Sequence, residues 1–305
     1  MQPDAEILLE RNLQNIRPGI ILQALTLILT SVFISGCLDF QRSQNQIQDA
    51  LKNKNVTEAT IPFQTYKLNA LAIGPVDGDP VLFIHGSPGS WDNYLDVISN
   101  LDHSLLIFFD RPGFGQSVPE ISLPDLEMQA NAARAVLRHF SSRPAILVGH
   151  SYGGPIALEM SLRFQEPIQA LVLVGASVDP ELERLRWYNH LTTFLEIMVP
   201  GALVRSNDEM IPLRNQLESQ KRRIMASQSS LPSIYVLHGT EDDLVPVENV
   251  NYIYDVPGAR SNLICVQLLS DQDHFIPWKH PGELADLIRE AQDGTCTDPE
   301  NYSRW

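Results

Sequence analysis

Short, unbroken apolar runs alternate along most of this chain with longer stretches in which apolar residues recur every three or four positions. Val81-Leu82-Phe83-Ile84, Leu105-Leu106-Ile107-Phe108-Phe109, Ala145-Ile146-Leu147-Val148, Leu171-Val172-Leu173-Val174, Ile234-Tyr235-Val236-Leu237 and the segment from Leu263 to Leu269 are runs of the first kind. They lack a polar face, as a strand covered on both sides does. Trp91 to Ile98 has helical spacing, Leu126, Ala130, Ala133, Val136, Leu137 and Phe140 mark one face of a longer helix, and Glu283 to Ile288 reads as a closing helix after Pro281. Strands alternating with amphipathic helices predict an α/β fold built on a mostly parallel sheet.

The alternation stops between about residues 176 and 231, where the sequence becomes helix-patterned and mixed in charge. This insert is expected to form a small helical cap. Trp187, Leu191, Phe194, Leu195 and Met198 fall on one helical face there. Each can simply pack on the main domain; as a group they are expected to line the pocket of a modest lid.

The N-terminal pattern is different again. Residues 19–34 are apolar apart from Gln23 and hydroxyl side chains, and Arg11 and Arg17 precede them. A run this short with a basic flank fits a signal-peptide core better than a membrane span, which needs ~20 residues. Asp4, Glu6 and Glu10 lie ahead of the basic residues, so an uncleaved anchor is the alternative. The sequence from Gln41 to Glu58 is polar and reads as a tether. The expected organisation is a signal peptide over 1–36, an N-terminus and tether over 37–61, one main domain over 62–292 with its cap at about 176–231, and a tail over 293–305.

Composition narrows the function classes. A chain of 305 residues fits one α/β unit with an appendage. Its formal net charge is −15, and no basic cluster exceeds Lys221-Arg222-Arg223, which reads as a solvated helix face. Nucleic-acid binding is therefore not expected. Apart from Cys37, the cysteines are Cys265 and Cys296. They are expected as a buried core thiol and a separate tail thiol, with pairing the alternative in an exported protein. No metal or other cofactor is expected, and the oligomeric state is left open.

The candidate chemistry sits at Gly149-His150-Ser151-Tyr152-Gly153, where an apolar strand turns abruptly into a helix-like segment. Backbone meets backbone on both sides of such a turn, so Gly149 and Gly153 supply the small residues it needs. The serine is forced into a strained conformation that lifts its hydroxyl clear of the sheet. Other strands end in motifs as well. His85-Gly86-Ser87-Pro88-Gly89 follows the first run, Asp110 to Ser117 the second, Gly239-Thr240-Glu241-Asp242 a later one, and His274 comes after the last.

These motifs, from about Pro62 to about Gln292, resemble the α/β-hydrolase family, whose chain order is Ser, Asp, His. The resemblance implies an eight-stranded, mostly parallel sheet with helices on both faces. It implies Ser151 as nucleophile, His274 as base and Asp242 as the acid that orients it. Glu241, Asp243 and Asp179 are the rival acids. The backbone amides of Ser87 and Tyr152 are the implied oxyanion donors, while His85 and His150 are implied to shape turns and Asp110 to brace its loop.

A serine at the elbow argues against haloalkane dehalogenases and soluble epoxide hydrolases, which use aspartate there. The expected reaction is cleavage of a small-molecule carboxylic ester through an acyl-enzyme. Carbon-carbon bond hydrolysis and perhydrolysis use the same triad. Proline iminopeptidases resemble this chain too, but usually carry glycine where Ser87 stands. A non-catalytic, membrane-anchored binding lipoprotein is the alternative from another class. Finally, Ile34-Ser35-Gly36-Cys37 resembles a bacterial lipobox, which implies lipidation at Cys37 and a membrane partner reached through the acyl chains. The implied location is the cell envelope, at the outer membrane if the cell has two.

Overall fold

The computed structural model describes residues 42–164, 167–184 and 199–297. The expected signal peptide over 1–36, Cys37 and the cap positions Trp187, Leu191, Phe194, Leu195 and Met198 lie outside the described residues.

Eight strands form a single sheet: β1 (Val56–Phe63), β2 (Tyr66–Ile73), β3 (Asp79–Ile84), β4 (Ser104–Phe109), β5 (Ala145–His150), β6 (Ile168–Val174), β7 (Ser233–Gly239) and β8 (Ile264–Leu269). Their spatial order is β1-β2-β4-β3-β5-β6-β7-β8. β1 and β2 run antiparallel, as do β2 and β4, whereas every pair from β4 onward is parallel. This is the α/β arrangement that the sequence pattern predicts, and each apolar run quoted above became a strand.

The period of two along each strand decides which layer a side chain joins. On one face Leu82, Ile84, Leu105, Ile107 and Leu147 pack with α2 (Leu126–Phe140) and α3 (Gly153–Arg163). On the other, Val81, Phe83, Leu106, Phe108 and Val148 pack with the 3-10 helix Trp91–Asn100 and with the C-terminal helix Pro281–Asp293. Both cores are closed, so the carboxyl ends of the parallel strands are left as the place for a site.

The helix α4 (Gly201–Ala226) occupies the C-terminal part of the insert and buries Leu213, Leu217 and Ile224. Polar groups also fasten it. Gln216 donates to the carbonyl of Pro124 at 2.7 Å, and Gln220 donates to Glu159 of α3 at 2.9 Å. Arg223 reaches the same buried Glu159 at 2.7 Å and Lys221 pairs with Glu181 at 3.3 Å, so the basic triplet is not simply a solvated face.

Two further expectations change. The domain begins before Pro62, because Gln44–Leu51 forms a helix, α1, and β1 starts at Val56 within the stretch read as a tether. β1 escapes sequence reading because most of its residues are exposed or half-buried; its register with β2 over all eight residues holds it in place. In addition, Cys265 and Cys296 are joined in a disulfide with their Cα atoms 5.7 Å apart. The C-terminal helix ends at Asp293 and the left-handed Gly294 turns the chain back toward β8, which spacing alone could not reveal. Among the described residues, no helix is long and apolar enough to cross a membrane.

The disulfide closes a loop of sequence separation 31. A loop of that size restricts the unfolded chain enough that Cys296→Ser is expected to lower unfolding free energy by about 2–4 kcal/mol. Urea denaturation of the variant checks this, and a midpoint equal to the oxidised wild type's would overturn it.

Candidate active site

Ser151 follows directly after β5, with φ of +54°, a left-handed conformation that a residue with a Cβ rarely adopts. The turn is held from three sides. Ser151 donates its N–H to the carbonyl of Val174 at 3.0 Å, and its own carbonyl accepts from the amides of Gly154 at 3.0 Å and Ser177 at 3.3 Å. Close backbone packing makes the strain persist. A Cβ on Gly153 would run into the carbonyl of Ile84, and one on Gly149 into the carbonyl of Gly153.

Asp242 lies just after β7 and is buried, while its neighbours Glu241 and Asp243 are exposed. One carboxylate oxygen accepts from the amides of Leu244 at 3.0 Å and Val245 at 2.7 Å. The other lies 2.6 Å from His274 Nδ1. A carboxylate accepts here, so Nδ1 carries the hydrogen and Nε2 keeps a free lone pair. Burial alone would raise the Asp242 carboxyl, but the hydrogen bond and charge of His274, with the Val245 amide, hold it below its ordinary range.

Two contacts bring this pair to the elbow. A Cβ on Gly175, the residue after β6, would sit 3.3 Å from both Asp242 Oδ2 and His274 Nδ1. β6 is the neighbour of β5 in the sheet, with Val174 opposite His150. His150, next to the serine, donates from Nε2 to the carbonyl of His274 at 3.1 Å, and the two rings are 4.7 Å apart. Asp179, the rival acid after β6, instead accepts from the amide of Glu181 at 2.9 Å.

A family model for the alpha/beta hydrolase fold matches residues 79–295. The chain belongs to that family. Relatives of this α/β-hydrolase include 2-hydroxymuconate semialdehyde hydrolase of a Pseudomonas species, 26% identical over 249 residues that span 69% of this chain and 86% of that protein. A proline iminopeptidase of Lactobacillus acidophilus is 29% identical over 126 residues, 39% of this chain and 43% of that protein. Among solved structures, 2-hydroxy-6-oxo-6-phenylhexa-2,4-dienoate hydrolase from a Rhodococcus species superposes with a TM-score of 0.62 at 19% identity, covering 79% of this chain and 100% of that one. That likeness carries the fold alone.

In this α/β-hydrolase the turn that carries Ser87 lies against the elbow, where a Cβ on Gly86 would sit 3.0 Å from the Ser151 Cβ. The Ser87–Pro88 bond is cis. Among the described residues, the amides of Ser87 and Tyr152 have no hydrogen-bond acceptor. Tyr152 itself is buried, and its ring lies under the Arg111 guanidinium at 4.9 Å. Asp110 braces its own loop, accepting from the amides of Trp91 and Gln116 and from Asn69, each at 2.9 Å.

Sequence reading passed over three residues. Arg111 and Glu209 form an ion pair at 2.7 Å with both side chains fully buried, and Glu209 accepts from the Ser87 hydroxyl at 2.5 Å. His238 lies 3.6 Å from Asp242 Oδ2 and donates to the carbonyl of Val245 at 2.9 Å. Arg111 and Glu209 stand 98 residues apart, and His238 is itself hidden inside the apolar strand β7, so no local pattern marks their part in the site. Of the groupings able to hold a metal, the one found among the described residues is Cys265, Glu290 and Cys296, and its sulfurs are already spent on each other.

Burial is the main force on the histidines around the site. It pushes His150 down to about 3, with His274 adding to the effect. It also lowers His238, and lowers His85 well below its ordinary value with help from Arg111. In the unfolded chain these imidazoles take up protons near pH ~6.5. Below that pH the unfolded state binds protons that the folded state refuses, so stability falls with pH, by up to ~1.4 kcal/mol per unit for each such histidine. The loss is expected to begin near pH ~6.5 and continue toward pH ~3, with the depressed Asp242 adding to it only below ~3.9. Thermal midpoints measured from pH ~7 to ~4 check this; a flat profile would overturn it.

Proposed function

We propose that this α/β-hydrolase is a serine hydrolase that cleaves a small-molecule carboxylic ester, or a related acyl bond, through an acyl-enzyme. The observation that carries the reading is the 2.6 Å contact of His274 with Asp242, seated beside Gly175 at the edge of the Ser151 elbow. In this reading the Ser151 oxygen attacks the carbonyl carbon and its proton passes to His274 Nε2. The tetrahedral oxyanion is received by the amides of Ser87 and Tyr152, at the start of α3. His274 returns the proton to the departing alcohol, and water then repeats the sequence to release the acid. Asp242 holds the imidazole in the tautomer with Nδ1–H and stabilises its charged form.

Hydrolysis of a carbon-carbon bond is the second reading. It is favoured by the similarity to 2-hydroxymuconate semialdehyde hydrolase along 86% of that protein's length. Labelling with a fluorophosphonate probe tests both readings together. An adduct on Ser151, absent from Ser151→Ala, is expected. A folded wild-type protein that takes no label would favour a binding lipoprotein instead. A panel of esters of graded chain length, with an amide control and 2-hydroxymuconate semialdehyde, then separates the chemistries; turnover of the semialdehyde with no ester turnover would overturn the ester reading.

For location, the reading is an envelope protein lipidated at Cys37 and held at a membrane through its acyl chains. The Ile34-Ser35-Gly36-Cys37 sequence supports it, and so does the Cys265–Cys296 disulfide, since such bonds persist in oxidising compartments. Cys37→Ser is expected to release the protein from membranes or block its processing. Unchanged mass together with membrane retention would speak for an uncleaved helix.

A further inference from the structure

The α4 helix delivers a carboxylate into the interior that the proposed mechanism does not use. Glu209 accepts four hydrogen bonds. Arg111 Nη1 at 2.7 Å and Gln129 at 2.9 Å reach Oε1, while Arg111 Nη2 at 3.0 Å and the Ser87 hydroxyl at 2.5 Å reach Oε2. A fully buried ion pair with every oxygen engaged is costly to assemble and is often no more stabilising than apolar packing. Its presence calls for a reason beyond stability.

The remaining donors of Arg111 point to that reason, because they go to the backbone of the β3 turn. Nε donates to the carbonyl of His85 at 3.0 Å and Nη2 to the carbonyl of Gly86 at 2.9 Å. The Arg111 amide donates to His85 Nε2 at 2.9 Å. That bond leaves the hydrogen of the neutral ring on Nδ1, which donates to the same Gly86 carbonyl at 2.8 Å. The guanidinium also lies over the rings of Phe114 at 4.8 Å and Tyr152 at 4.9 Å, so it has little freedom to turn.

The Gly86 carbonyl and the Ser87 amide belong to one peptide unit, which is trans. A trans peptide is planar and points its C=O and N–H in opposite directions. Two donors clamped on the Gly86 oxygen therefore fix where the Ser87 N–H points. That N–H is the one assigned to the oxyanion.

We infer that Glu209 is a positioning residue for oxyanion stabilisation: by holding Arg111 and the Ser87 hydroxyl, it orients the Gly86–Ser87 peptide and makes the seating of α4 a condition for full activity. The inference rests on the serine-hydrolase reading. It gives the insert a role in the chemical step, separate from any part it takes in lining a pocket.

The test compares wild type with Ser87→Ala, Glu209→Asp and Glu209→Gln on the best ester of the panel, recording kcat, KM, thermal midpoint and inhibition by a trifluoromethyl ketone. Such a ketone forms a tetrahedral oxyanion on the serine, so its affinity follows transition-state rather than substrate binding. Loss of one oxyanion donor lowers kcat by ~10²–10³ in comparable sites. Glu209→Gln is expected to approach the lower of these limits, and Ser87→Ala, which keeps the amide but cuts its tie to Glu209, to lower kcat by about 3–10-fold. KM should stay within about twofold, ketone inhibition should weaken in step with kcat, and Glu209→Asp should recover part of the loss. Unchanged kcat, or a loss carried by KM alone, in a folded variant overturns the inference. If Glu209→Gln does not fold, Ser87→Ala decides by the same criterion. A wild-type protein that neither takes the fluorophosphonate nor turns over any ester brings down the hydrolase reading and this inference with it; a reactive wild type matched by its variants removes only the role of Glu209.

Discussion

The backbone of β3 and the first turn of α3 meet at Gly153 with no room for a side chain, and the candidate site depends on that closeness. Because the Ile84 carbonyl stands where a Cβ would go, the chain can leave β5 and enter α3 within a few residues. The left-handed Ser151 is the consequence of so sharp a turn. Strain of this kind, ~1–3 kcal/mol, persists only where the surroundings over-determine it. Here they do so through the bonds from Ser151 to Val174, Gly154 and Ser177. The same closeness sets the end of β3, and so the Ser87 turn, directly beside the nucleophile candidate.

Around that turn the electrostatics are arranged by exclusion of water. His85, His150 and His238 are buried and held neutral, and each uses a ring nitrogen on a backbone carbonyl. His274 is set apart by its 2.6 Å hydrogen bond to the Asp242 carboxylate, which His238 only approaches at 3.6 Å. Neutral histidines brace the backbone that carries the pair without adding positive charge to it. Asp242 keeps its negative charge because His274 and two backbone amides compensate for its burial.

The insert contributes by polar attachment as much as by apolar packing. Gln216 and Gln220 tie α4 to the start of α2 and to α3, and Glu209 extends from the same helix to Arg111. The buried pair has a directional demand that a leucine contact lacks, because a guanidinium fork fits a carboxylate in few orientations. A helix placed this way can fix a peptide plane several ångströms away.

The layered α/β fold and the motifs at its strand ends are legible in the chain alone, because burial on both faces leaves continuous apolar runs and tight turns demand glycine and proline. The chain also names the carboxylate and the imidazole that meet in the structure, and the serine that takes the left-handed conformation at the elbow. It did not determine β1, whose exposed edge position leaves few apolar residues, nor the pairing of Cys265 with Cys296, which depends on where the last helix returns the chain. Asp242 is the acid the motif implies, and the fold sets it apart from its rivals Glu241 and Asp243, because the β7 turn buries its carboxylate against His274 while theirs stay exposed. The Arg111–Glu209 pair was decided only in three dimensions. Its members lie 98 residues apart, and a buried charge is written in the chain with the same letters as an exposed one.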